Sequence, residues 1–192
     1  MSKLILGRYS RQGLWSLFLM CALPLHAWAL VLAFRDLSWL TERTNAWDAV
    51  GVLCYGLLFA LIESVLLFLV MAALGLIIPR HWDPERRTAL LGALVLVLCL
   101  WAMLGQLFFL TNAHMPERVV RFLVRSGHPL RIMYPVIVGL VGGSFLLPAW
   151  AVLRSAKGLR FVGGLIERLA LLATLYLVFD VAALVIVVIR NL

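Results

Sequence analysis

The chain has 192 residues, of which 64% are hydrophobic and 14% charged, and it carries a formal net charge of +8. Soluble domains are about 45–50% apolar and ~25% charged, so a water-solvated exterior is excluded for most of this chain. The basic residues lie between apolar runs and never gather in a module large enough to read a duplex. This argues against nucleic-acid binding and directs the charge toward anionic lipid headgroups.

Residues 1–13 carry Lys3, Arg8 and Arg11 and lead into the apolar run 14–34. A basic start and the small-x-small triplet Ala27-Trp28-Ala29 suit a cleaved signal peptide. The run continues through Leu30-Val31-Leu32-Ala33-Phe34, however, which is the length of a span. A retained first membrane helix is the expectation, kinked at Pro24. The loop 35–48 holds Trp39 and Trp47 among polar residues, a composition suited to a chain lying along the interface.

The second span, 49–79, is built on the apolar stretch Gly51–Ile78, with Glu63 near its midpoint and Pro79 as its stop. It is longer than a ~30 Å hydrocarbon core requires, so it should tilt. A charged turn (80–87) precedes the third span, 89–110, which has Gln106 near its far end. In the loop 111–131, Pro116 and Glu117 suit the first turn of a helix at about 116–126. At about 100° per residue, Arg118, Arg121 and Arg125 fall on one side and Val119, Val120, Leu123 and Val124 on the other. That pattern is an interfacial amphipathic helix, anchoring the loop in headgroups or contacting an anionic lipid or a partner.

The fourth span, 132–153, has Pro135 and Pro148 near its ends and a GxxxG at Gly139 and Gly143, a spacing that lets helices approach closely. Residues 154–167 read as a basic loop containing Gly158, Gly163 and Gly164. The fifth span, 169–189, contains Asp180. The fold class is therefore an all-α integral membrane protein: one domain, five membrane helices and one interfacial helix. Ten Lys and Arg lie on the N-terminal side of the membrane and seven on the other. That bias puts the N-terminus in the cytoplasm and the C-terminus outside a cell (inner) membrane. Cys21, Cys54 and Cys99 occupy three different apolar runs and read as small hydrophobes rather than metal ligands.

The polar residues inside the spans pose the chemical question. An ionised carboxylate at the bilayer centre costs at least ~2.5–3.5 kcal/mol, so it should turn toward the bundle or a wet cavity. Glu63 shares its helical face with Gly56, Ala60 and Leu67, and Asp180 shares its own with Ala173, Tyr176 and Ala183. Small residues at such spacing mark close helix contact, so both acids are expected to face inward. Tyr176 stands one turn from Asp180 and is placed to donate to it. No span holds a Lys or Arg at depth, which leaves His26 as the basic candidate to pair with either acid.

Glu63, Asp180, His26, Gln106 and Tyr176 thus form a candidate polar intramembrane site. They act either as hydrogen-bonded packing contacts or, if their faces converge, as a pocket or proton relay. HExxH, GxSxG and P-loop signatures are missing. Ser144 of Gly142-Gly143-Ser144 lacks a histidine in the later span to activate it. No cofactor or metal is expected. The five-span layout, with interfacial helices on the outer face, is similar to the membrane half of envelope sulfatase-like transferases such as phosphoethanolamine or lipoteichoic-acid synthases. No motif residue matches, so no residue role is carried over.

The expected function is a non-enzymatic subunit of a membrane complex, in contact with lipids and with other membrane subunits or a second copy. The alternatives are a small proton-coupled or lipid transporter, and a membrane enzyme acting on lipid headgroups through Glu63, His26 and the outer arginines.

Overall fold

The computed structural model describes residues 9–79, 81–112 and 114–192. Lys3 and Arg8 of the basic leader, and Arg80 of the charged turn, lie outside them. The described residues form seven helices: α1 (Arg11–Arg35), α2 (Leu37–Arg43), α3 (Ala46–Gly75), α4 (Pro84–Leu110), α5 (Glu117–Arg125), α6 (Pro129–Arg154) and α7 (Ala156–Asn191). All but α2 and α5 are long and apolar enough to cross a membrane.

Four of these five long helices begin at residues suited to capping. Ser10 accepts a hydrogen bond from the Gly13 amide at 2.9 Å, Asn45 from Asp48 at 2.8 Å, and Ser155 from Gly158 at 3.1 Å. Asp83 caps α4 ahead of Pro84, whose missing N–H is harmless in a first turn.

The caps also explain where the observed helices depart from the expected spans. Asp83 and Pro84 start α4 five residues before the apolar run. Ser155 starts α7 at Ala156, so residues 156–167 of the expected loop are helix and α7 reaches 36 residues, about 54 Å. Glycine weakens a helix interior by only ~1 kcal/mol relative to alanine, too little at Gly163 and Gly164 to break it. At Gly158 the glycine is required, because a Cβ would overlap the Ala151 carbonyl across the α6–α7 turn. Helix α3 ends at Gly75, four residues before Pro79; Leu76 and Ile77 close a tighter turn onto Ala73 and Leu74.

Helix α1 forms the interior. Leu17, Met20, Cys21, Ala22 and His26 have no exposed surface, and α3, α4 and α7 pack around them. One cluster joins Leu17 and Cys21 to Met71 of α3 and Leu91, Val95 and Cys99 of α4. A second joins Met20 to Ala89, Leu90, Val152 and Ile166, and a third sets Leu19 and Leu23 against Ala173. Helix α6 stands outside, against α4 and α7, with Val152 its only buried residue. The segment that resembles a signal peptide therefore supplies the core. The helix continues through Pro24, which is itself buried. The three cysteines are buried and free, as small hydrophobes.

The outer surface is apolar: Phe59, Phe109 and Leu171 are 67%, 78% and 77% exposed. The GxxxG of α6 belongs to that surface. A Cβ added at Gly139, Gly142 or Gly143 would meet nothing within 4 Å, so the motif makes no close helix contact among the described residues.

Candidate functional site

The interior polar pair is His26 and Asp180. The periodicity of α7 that buries Ala173 and Ala183 also turns Asp180 inward, and His26 on α1 has no exposed surface. His26 Nε2 lies 3.1 and 3.0 Å from the two carboxyl oxygens of Asp180, and Nδ1 lies 2.8 Å from the Ala22 carbonyl.

A carbonyl only accepts, so Nδ1 carries a proton and donates it. Nε2 then faces two oxygens, and a second proton must lie between the groups, on the imidazole as an ion pair or on the carboxyl as a neutral pair. Either way the pair is net neutral and ties α1 to α7 deep in the apolar zone. Tyr176 lies half-buried with its ring nearly parallel to the imidazole, at 9° and with centroids 5.9 Å apart. Its contact is with His26; the hydrogen bond expected from it to Asp180 is not formed.

Glu63 does not join them. It is exposed, against the expectation that its small-residue face turns inward. The buried face of α3 is centred on Ala60, Ser64 and Met71, and Glu63 stands about 100° around the axis from Ser64. Ser64 is the polar residue that α3 buries, and its hydroxyl donates to the Ala60 carbonyl at 2.6 Å. Gly56, on the same expected face, makes no close helix contact and borders an open hollow.

Gln106 is exposed on α4, and its side-chain oxygen accepts from the Trp28 indole at 2.5 Å, linking α1 to α4. In α5, Arg121 pairs with Glu117 at 3.6 Å, both exposed, and Arg118 and Arg125 also face outward. Leu123 is the one buried residue of α5; the other apolar members of its opposite face are exposed.

Two polar clusters escaped the sequence reading. At the end where α7 finishes, the Arg190 guanidinium donates to the Asp48 carboxylate and, at 2.6 Å, to the Trp47 carbonyl; Asn191 donates to the Tyr55 hydroxyl at 2.7 Å. Gly51 leaves room for that guanidinium. Midway along α4 and α6, the half-buried Trp101 indole donates to Ser144 at 2.8 Å, joining the two helices. Arg190 and the first-turn acid Asp48 stand 142 positions apart, and nothing in their spacing shows that they meet.

Among the described residues no group of three or more His, Cys, Asp or Glu is arranged to hold a metal. No protein-family model matches the chain, and neither a curated protein nor a solved structure is significantly similar to it.

Proposed function

We propose that this chain is a multi-pass membrane protein that serves as a non-catalytic subunit of a membrane complex, docking a partner helix on the outer face of α3. The observation that carries this reading is Glu63, exposed at mid-length of a 30-residue apolar helix. A carboxyl left in hydrocarbon costs at least ~2.5–3.5 kcal/mol if ionised. A neighbouring helix that presents a hydrogen-bond donor at the same depth removes that cost.

The surrounding surface is suited to such a helix. Tyr55, Phe59, Ile62, Leu66 and Leu69 are all exposed and recur at alternating spacings of four and three residues, the seam of left-handed helix packing. The charge bias places the N-terminus in the cytoplasm and the C-terminus outside. Arg118, Arg121 and Arg125 then lie at the outer surface, where they hold α5 against anionic headgroups. The His26–Asp180 pair, sealed at 0% and 3% exposure, serves as a packing tie; a carrier would have to open it.

The test is a photo-crosslinking residue at Leu66, with one at Leu171 on α7 as control, in intact membranes. Leu66 should give one discrete adduct, and Glu63→Leu should reduce its yield at least tenfold while leaving the melting temperature of the purified chain unchanged. The adduct mass separates a distinct subunit from a second copy. Equal labelling at both positions, or an adduct indifferent to Glu63, overturns the proposal.

A further inference from the structure

We infer that the hollow bounded by α1, α2 and α3 holds one acyl chain of a zwitterionic phospholipid, with its headgroup fastened by Asp36, which lines the hollow, and by Arg35 and Arg43, which contact the lining residues Asp36 and Trp39. This inference does not depend on Glu63 or on a partner helix. The cavity has a volume of about 690 Å³, within the ~300–1,000 Å³ of small-molecule sites. Its walls are aliphatic: Ala29 and Ala33 of α1 stand opposite Leu53, Gly56 and Leu57 of α3. The space exists because the facing residues are small; a Cβ at Gly56 would meet nothing within 4 Å.

The end of α1 and the helix α2 add Asp36, Trp39 and Leu40 to the lining. Arg35 grips Asp36 with two hydrogen bonds, of 2.8 and 3.0 Å, and that hydrogen bonding holds the Asp36 carboxyl below the usual carboxylate range. The Arg43 guanidinium sits 4.7 Å from the centre of the Trp39 ring.

Two guanidiniums and one ionised carboxylate complement a headgroup that carries a phosphate and an ammonium. The phosphate takes the guanidinium donors left over from Asp36, and the ammonium donates to Asp36. Side-chain exposures of 45% for Arg35 and 57% for Asp36 leave both accessible. An anionic lipid without an amine can still place its phosphate on the guanidiniums, but it offers no ammonium to the Asp36 carboxylate and forgoes that charge-assisted contact. A helix is a poor alternative occupant, because its ~10–12 Å diameter would displace α2. That helix is tied to α1 through Asp36 alone and to α3 through Thr44 and Asn45.

The test uses the full chain, purified in mild detergent and titrated with dioleoyl-phosphatidylethanolamine or dioleoyl-phosphatidylglycerol under native mass spectrometry. One phosphatidylethanolamine should be retained, with at least tenfold preference over phosphatidylglycerol. Ala33→Leu with Gly56→Leu should abolish retention, whereas Gly139→Leu on the outer face of α6 should not. Asp36→Asn should reduce the preference to less than twofold while retention persists. Circular dichroism melts establish that the filled variant is folded. If it is not, Asp36→Asn, which disturbs no packed residue, still decides. Equal retention of both lipids by the unaltered chain marks unselective annular lipid and overturns the inference. So does retention undiminished in the folded, filled variant, or a preference that survives Asp36→Asn.

Discussion

His26 and Asp180 show what a single buried contact can be asked to do. With Nδ1 committed to Ala22 and one proton shared between Nε2 and the carboxyl, each side chain satisfies the other. Asp180→Leu leaves Nε2 without its partner, and stranding a buried polar group costs about 1–3 kcal/mol. The melting temperature in detergent should fall accordingly. Asp180→Asn should lose less, because its amide can donate to Nε2. The double replacement of His26 and Asp180 by leucine should recover part of the loss, because no polar group is then stranded; a double variant no more stable than Asp180→Leu would contradict this account. The inward direction of Asp180 was legible from Ala173 and Ala183 on the same helical face. The orientation of Glu63 was not. Gly56 and Ala60 gave it an equally persuasive small-residue face, yet α3 rotates to bury Ser64.

At the scale of whole elements, glycines separate into two kinds that look the same in the sequence. Gly158 sits against the Ala151 carbonyl in the α6–α7 turn, whereas Gly139 and Gly143 face open space. Gly158→Val should therefore lower the melting temperature, with a cost above the ~1 kcal/mol typical of single changes. Gly139→Leu and Gly143→Leu should leave the isolated chain unchanged. A melt in which the α6 pair is the more damaging would mean that α6 packs elsewhere. Helices α3 and α7 are fastened where α7 ends, by Arg190 on Asp48 and Trp47. Because both charged side chains are partly exposed, the ion pair is worth ~1 kcal/mol or less. Arg190→Ala should consequently appear as faster amide exchange in the last turns of α7 rather than as a shift of the global melt.

For the whole molecule, the decisive feature is α1. It has the largest buried share of the five long helices, and each of the three buried clusters draws residues from it. A chain begun at Asp36 should lose the cooperative melt entirely, while the exposed belt on α3, α4, α6 and α7 should keep the intact chain in the membrane pellet after alkaline extraction. Release of the intact chain into the supernatant would refute the membrane-spanning reading.

The sequence by itself determined the helical class, the five long apolar segments, the amphipathic α5 and the burial of the cysteines. Each of these follows from local composition and from the period of the helix. Only the tertiary structure decided which helix is central, which small residues meet a neighbour and which polar groups meet each other. In helices that are apolar all round, hydropathy leaves little directional signal, because the outward-facing and inward-facing sides are built from the same residues. The rotation of each helix is then chosen by contacts made across the bundle. That is why His26 and Asp180, 154 positions apart in the chain, meet in the interior while Glu63 faces out.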